Sequence, residues 1–431
     1  MNKKQVFVVF EPINHMYWVA EAALDMGYDL LFISTLPINT VQPFSIEPEK
    51  VYKMITVTSW QDNEAVLTAI EEVITEYKII GTYAAFESTL VYEAQLRTKV
   101  GLPSNSPEIL KKALNKKYVR RTIRKYGLTE LACFDKSECE ALKYWPFEGA
   151  GYFKPVNGAG SAMVTRCENI AQLKQAIAEI DDKSAQVYVP FLAQYIEETD
   201  DFILEQAAEG ELLSLESIVV DGELLPLGLT GRTRLKANPA VEMGAIYPYQ
   251  NPYFDQIVEK ARAIHQVLNI NHGPTHTEFM VTEDGIIELV EINLRLIGSD
   301  AIEGINQSHG IKFQNLIAKI AMGKKIDSSD LALKTNCFSS LQLIIPPSGV
   351  THYDELIFPD KVTYARYARK KGDKLSGNSY QLDQIASFIV TASTQDEVIE
   401  LANKIRMNTI FNGKKLGDDL NNLTDKFEYN Q

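Results

Sequence analysis

Cysteine is scarce in this chain of 431 residues. The four present, Cys133, Cys139, Cys167 and Cys337, are scattered without metal-ligand spacing, which argues against a cysteine-held metal. They read as buried or incidental thiols of a reducing, cytoplasmic compartment. Long apolar runs are also missing. The opening MNKKQVFVVFEPIN has two lysines and then only a short apolar stretch, too brief for a signal peptide or a membrane span, and it reads as a first buried strand. Positive charge is in deficit: the formal net charge of −14 argues against nonspecific nucleic-acid binding, though a few local cations suffice for a nucleotide. The first strand is followed by Glu11-Pro12-Ile13-Asn14 where a dinucleotide fold carries its glycine fingerprint, and no GK[ST] opens a helix as in a Walker loop. There is no internal repeat and no low-complexity segment.

What is present is ordinary globular composition, 45% apolar and 23% charged, over a length that implies two or three domains. Residues 1 to about 110 alternate strand-like and helix-like segments. Strands are expected at Gln5–Phe10, Leu30–Ser34 and Ile79–Phe86, and helices at Tyr17–Met26, Asn63–Tyr77 and Leu90–Val100. Such alternation implies a parallel sheet covered by helices. Ser106 to Tyr126 reads as one basic helix, whose Lys111, Lys112, Lys116, Lys117, Arg120, Arg121, Arg124 and Lys125 are mostly a solvated face. A strand ending in Lys154-Pro155 precedes the small-residue loop Asn157 to Ser161, whose glycines would let the backbone approach an anion. A helix follows at Asn169–Ile180. Residues 200–235 are strand-rich, and Phe202 to Glu211 reads as an apolar strand with an acidic turn. Glu216, further along, reads as a solvent-facing carboxylate. Asn251–Leu268 is helical, as is Ile311–Met322, and the last hundred residues mix strands with a helix at Gln395–Met407.

The richest segment runs from His276 to Ser299. Two alternating runs flank Asp284-Gly285, the strongest short-range hairpin signal. With those two residues as the loop, Glu283 pairs with Ile286 and Glu278 faces Glu291. Period two then places His276, Glu278, Met280, Leu289, Glu291, Asn293 and Arg295 on one face, and Thr277, Phe279, Val281, Val290, Ile292 and Leu294 on the core face. Opposed carboxylates repel unless a cation sits between them or one is protonated. Two carboxylates and the Asn293 amide oxygen suit Mg²⁺ or Mn²⁺ completed by phosphate oxygens, with Arg295 placed for a phosphoryl oxygen. The competing reading is the solvated polar face of an edge hairpin.

Taken in order, these pieces resemble the ATP-grasp superfamily over most of the chain. Lys116, Arg120 and Gly127 match its basic helix, Lys154-Pro155 with Asn157–Ser161 its second lysine and loop, and Glu205 with Gly210 its hinge strand. Glu278 with Glu291, Asn293 and Arg295 matches its closing motif in full. The pattern E-x-x-x-x-G-x-E places Leu212 where the last glutamate is usual, so Glu211 is the expected ribose contact and Glu209 its substitute. Within the superfamily the chain is similar to the L-amino-acid ligases, through His-Gly-Pro-Thr-His-Thr-Glu278, Glu242-x-Gly244 with Pro248, Arg295-Leu-x-Gly-x-Asp300, Glu87 and Gly101-Leu-Pro-Ser; Ile297 departs from the glycine often found there.

The resemblance implies an α/β chain, α+β in its catalytic part. It would comprise a parallel-sheet pre-ATP-grasp domain (1–112), a lid and nucleotide subdomain (113–187), a catalytic core with the metal hairpin (188–330) and a small C-terminal α+β lobe (331–431). It implies a ligase that converts a carboxylate and ATP to an acyl phosphate, then forms an amide with an amino acid. Lys154, Gly158, Ser161 and Arg295 would serve the chemistry. Lys116, Lys154, Ser161, Glu205, Gln206, Ala208 and Glu211 would hold ATP. Glu278, Glu291 and Asn293 would hold two Mg²⁺ or Mn²⁺. Glu87, Glu242, His276, Arg295 and Ser299 would meet the substrates, the small Ser299 leaving room for a bulky first acid. The partners implied are small-molecule amino acids and a second copy of the chain as a homodimer, with neither nucleic acid nor membrane. The alternatives on the same fold are a biotin-carboxylase-like or purine-biosynthesis ligase and a non-catalytic nucleotide-binding protein.

Overall fold

The computed structural model describes residues 3–12, 16–36, 48–84, 86–157, 163–180, 201–235, 238–298, 300–326, 328–331, 333–347, 349–377 and 384–417. The expected βα alternation forms β1 (Gln5–Phe10), α1 (Met16–Asp25), β2 (Asp29–Ser34), α2 (Asn63–Glu76), β4 (Lys78–Tyr83) and α3 (Glu87–Val100), and a further strand that was not expected, β3 (Val51–Thr56), precedes α2. All pairings among the four strands are parallel and their order is β3-β2-β1-β4. The direction of winding therefore reverses between β1 and β4, and ligands of open α/β sheets bind outside the carboxyl ends of strands at such a point. Glu11 ends β1 there, wholly buried at φ 48°, and accepts hydrogen bonds from Ser34 Oγ, Thr35 N, Thr35 Oγ1 and Trp60 Nε1. Glu87 opens α3 at the neighbouring strand end.

The basic segment is two helices rather than one. α4 (Pro107–Ala113) is capped by the Ser106 side chain, and α5 (Lys116–Lys125) by Asn115, whose side chain accepts from Tyr118 N. Two side-chain caps nine residues apart restart the helix, because Ser and Asn compete with the backbone for its own hydrogen bonds. The break turns Lys116 and Arg120 inward, while Lys111, Lys112, Arg121, Arg124 and Lys125 are exposed.

β5 (Cys133–Asp135), α6 (Lys136–Ala141), β6 (Gly151–Pro155), β7 (Thr165–Cys167), α7 (Ile170–Ala178) and β8 (Phe202–Gln206) form an antiparallel unit of order β5-β8-β6-β7. It has its own small core of Cys139, Phe153, Cys167, Leu173, Phe202 and neighbours. All four cysteines are free thiols, and Cys139 and Cys167 are buried in that core.

The remaining elements are β9 (Glu211–Val220), β10 (Glu223–Leu235), β11 (Asn238–Tyr247), α8 (Phe254–Val267), β12 (Gly273–Val281), β13 (Ile287–Asn293), α9 (Ala301–His309), α10 (Phe313–Ala321), α11 (Ser328–Leu331), β14 (Phe338–Ile344), β15 (Leu356–Ile357), β16 (Tyr364–Tyr367), β17 (Ala386–Ala392), α12 (Gln395–Asn408), β18 (Ile410–Phe411) and β19 (Lys414–Lys415). Eight strands make one antiparallel sheet, ordered β13-β12-β9-β10-β11-β14-β17-β16. It runs without interruption past residue 330, so strands of the last hundred residues extend the sheet that carries the hairpin. Among the described residues no helix is long and apolar enough to cross a membrane.

Gly210, between β8 and β9, has φ +113°, and a Cβ on it would lie 2.3 Å from the Val281 carbonyl oxygen. Gly210→Ala should therefore cost about 1–3 kcal/mol through overpacking and backbone strain. Chemical denaturation checks this; an unchanged midpoint would show that the two backbones can part freely.

Candidate active site

The hairpin of β12 and β13 places Glu278 opposite Glu291 and His276 opposite Asn293. It reaches that register by two deviations that cancel. The loop is not the two-residue Asp-Gly turn: Thr282 N bonds the Ile286 carbonyl and Gly285 N the Thr282 carbonyl, with Gly285 at φ 85°. That is the three-residue loop with a left-handed glycine. It brings Val281 opposite Ile287 and Phe279 opposite Leu289, one residue out of the expected register. A bulge at Val290 then restores it. Leu289 accordingly lies with Phe279 in the core, buried, and not on the face of Glu278 as the simple alternation has it.

The face is neither a bare carboxylate pair nor a solvated edge. Lys116 Nζ reaches Glu291 at 2.9 Å, and His276 Nε2 reaches Glu278 at 3.0 Å. Burial pushes the Glu278 carboxyl up, but the His276 hydrogen bond and the positive charges of His276, Arg232 and Arg295 outweigh it and hold the pKa low. The repulsion is relieved by cations rather than by a proton. Arg295 Nε donates to Glu87 at 3.0 Å, its Nη1 to the Leu296 carbonyl at 3.2 Å and its Nη2 to Asn293 Oδ1 at 3.3 Å. Glu87 thus joins the parallel-sheet end to the hairpin face.

Behind this face lies a second layer, which strands read one at a time do not disclose. Glu216 pairs with His276 in the ladder and is 3% exposed, not the solvent-facing carboxylate its strand position suggested. Ser214 Oγ and Thr230 Oγ1 donate to it at 2.9 Å each, and His276 Nδ1 lies 2.9 Å from one oxygen and 3.0 Å from the other. Burial lowers the His276 pKa, but the Glu216 charge and hydrogen bond outweigh burial and raise it. Buried Arg232 bridges the layer, its Nη2 2.9 Å from His276 Nε2 and its Nε 3.1 Å from Glu242 Oε1. Glu242 therefore joins the site through Arg232. The legible signal was alternation: Thr230 and Arg232 on β10, Ser214 and Glu216 on β9 and His276 and Glu278 on β12 recur at period two.

On the other side, Glu205 of β8 is buried between two cations. Lys154 Nζ lies 2.5 Å from Oε2 and Arg120 Nε 3.1 Å from Oε1. Burial would raise the Glu205 pKa, but Lys154 and Arg120 hold it down at about 2. Arg120 Nη2 also donates to the Leu289 carbonyl at 2.6 Å, so one guanidinium ties the small antiparallel unit to the outer edge of the hairpin.

A cavity of about 310 Å³ opens where these layers meet. Glu87, Lys116, Glu205, Glu291 and Asn293 of the expected set line it, joined by Arg120. Arg295, on Glu87, and Glu278, opposite Glu291, adjoin it. Lys154 is held to it by Glu205. Gln206, Ala208, Glu211, Glu242 and His276 are not in the lining. Gln206 pairs with Ala132 at the end of β8. Glu211 accepts from the Tyr249 hydroxyl, and burial raises its pKa. Gly158, Ser161 and Ser299 lie outside the described residues.

Among the described residues no three histidine, cysteine or acidic side chains are grouped to hold a metal. Glu278, Glu291 and Asn293 nevertheless offer three hard oxygens on adjacent ladder positions. Such a partial set fits Mg²⁺ or Mn²⁺ when phosphate oxygens complete the shell.

Comparison with known proteins bears on the fold. Residues 152–303 match the model of the ATP-grasp domain. Dapdiamide A synthase of Enterobacter agglomerans is 24% identical over 200 residues, covering 45% of this chain and 45% of that protein, so the match spans about half of the relative's length. The crystal structure of an L-amino acid ligase from Bacillus licheniformis superposes with a TM-score of 0.79 at 18% identity, covering 96% of this chain and 100% of that one. A phosphoribosylglycinamide synthetase from Anaerococcus prevotii gives 0.69 at 14% identity, covering 95% and 100%.

Proposed function

We propose that this chain, which has the ATP-grasp fold and resembles L-amino-acid ligases, is an ATP-dependent carboxylate–amine ligase. It joins an amino acid or acyl-amino acid to a second amino acid and releases ADP and phosphate. The observation that carries the reading is the face on which Glu278 and Glu291 oppose each other beside Asn293 and Arg295, with Lys116 against it. A solvated strand edge has no use for opposed carboxylates compensated by an inward lysine on one side and a buried histidine and arginine on the other.

The reaction has two steps. A carboxylate oxygen of the first substrate attacks the γ-phosphorus of ATP and ADP leaves. The amine nitrogen of the second substrate then attacks the acyl carbon, phosphate leaves, and the nitrogen loses its proton. The first step gathers several negative charges. Lys116 and Lys154 meet the phosphates, and Arg295, given up by Glu87, takes the transferring phosphoryl group and then the tetrahedral oxyanion. Glu278, Glu291 and Asn293 would hold one or two divalent ions, which supply charge neutralisation at the phosphates. Glu87, Glu242 and His276 are assigned to the substrates, Glu242 and His276 on the amine side, where Arg232 connects them. Ser299 is assigned to the carboxylate pocket, Gly158 and Ser161 to closure over the phosphates, and Gln206, Ala208 and Glu211 or Glu209 to the nucleoside. A cytoplasmic homodimer completes the proposal.

The test is phosphate release from ATP and Mg²⁺. Release that requires two amino acids, with the amide product seen by mass spectrometry, is the expected result. Release with bicarbonate or a nucleotide precursor instead would replace the substrate class. No release and no ATP-induced thermal shift would overturn the ligase reading.

A further inference from the structure

Arg295 and Asp300 bound a short loop, and the two ends are held very differently. Arg295 follows the β13 ladder. Asp300 stands at the N-terminus of α9, but its side chain makes no capping bond to that helix. It is 2% exposed and faces the C-terminal strands. Arg366 Nε of β16 lies 2.8 Å from Oδ1 and 2.9 Å from Oδ2, Tyr364 OH lies 3.3 Å from Oδ1, and Ser387 Oγ of β17 donates to Oδ2. Arg366 and Ser387 are direct cross-strand partners, so the edge pair β16–β17 presents both to one carboxylate. The hydroxyl of Tyr17 on α1 hydrogen-bonds Tyr364 and brings the parallel-sheet unit into the same cluster.

We infer that Arg366 is a positioning residue for Arg295: by fixing Asp300, the C-terminal strands set the path of residues 296–298 and so the carbonyl that orients the Arg295 guanidinium. The linkage is short. Arg295 Nη1 donates to the carbonyl of Leu296, inside the loop that Asp300 closes. Leu296 and Ile297 are buried, so the loop has little room to absorb a shift of its anchored end. Precise aim of a phosphoryl-binding group depends on such support, and loss of an outer supporting partner typically costs roughly 10- to 100-fold in activity. The role of Arg295 rests on the ligase reading; the anchoring of the loop does not.

Arg366→Met, Arg366→Lys and the charge-neutral double variant Asp300→Asn/Arg366→Met test this in the full chain. The double variant leaves no unpaired buried carboxylate, which covers the case in which Arg366→Met fails to fold. Hydrogen exchange of the amides at 296–298 should quicken about tenfold in Arg366→Met and in the double variant, with those of β13 unchanged. Turnover should fall roughly 10- to 100-fold at an ATP KM within about twofold of wild type, with partial recovery in Arg366→Lys. Unchanged exchange in the loop overturns the inference, as does quickened exchange with full turnover. A wild type without turnover overturns the ligase reading instead, and the exchange measurement still decides the anchoring.

Discussion

Glu291→Gln should abolish phosphate release, on the order of 10²–10³-fold or more, in a protein that melts close to wild type. The substitution keeps the volume and one oxygen but removes the charge. On the proposed reading that charge is a metal ligand in the step that gathers the most negative charge. Two structural effects offset each other. The neutral amide ends the repulsion with Glu278 directly opposite, and it leaves Lys116 without the carboxylate now 2.9 Å from its Nζ. Pairs of this partly exposed kind contribute about 0–1 kcal/mol, so activity and stability should separate. Phosphate release beside a thermal melt decides the matter. A Glu291→Gln protein that unfolds, or one that turns over normally, would return the hairpin to a structural role.

Glu205→Gln should be the most destabilising single change at the site, by about 3–5 kcal/mol at neutral pH, because it strips the shared partner from Lys154 and Arg120. The pH dependence is a separate signature. The folded-state pKa of Glu205 is depressed to about 2 from the ordinary value of 4.5. A depressed carboxylate contributes stability that is fully present above its unfolded pKa and is lost as pH falls through the folded one. The gap in melting temperature between wild type and Glu205→Gln should therefore hold from neutrality to about pH 4.5 and close between there and about pH 2. A gap that stays constant across that window would mean that Lys154 and Arg120 do not depend on the Glu205 charge.

Much of the site was legible because its carriers are local. A hairpin whose loop contains Asp-Gly brings its own two strands together, so Glu278 and Glu291 could be set opposite each other by counting. The count succeeded although its loop was wrong: the extra loop residue and the Val290 bulge shift the register in opposite senses. Leu289 shows the limit, since alternation cannot announce a bulge and every residue between loop and bulge changes face. The basic helix shows another. Ser106 and Asn115 are both cap residue types, but lysine and arginine favour a helix on either side of Asn115, so composition alone does not mark the boundary.

The βα alternation of the first hundred residues, the hairpin, the chemical types on its face and the resemblance to ATP-grasp ligases can all be read from short stretches of the chain, because each depends on residues close together. Tertiary structure alone decided what each charge meets. Glu216 is buried because its strand is interior to an eight-stranded sheet. Arg232 matters because β10 carries it across β9 to His276. Arg366 finds Asp300 across 66 positions of chain because β16 and β17 close the far end of that sheet onto α9. A buried charge must be paired, but which of the many distant candidates pairs with it is a property of sheet order, and period-two patterning carries no record of order.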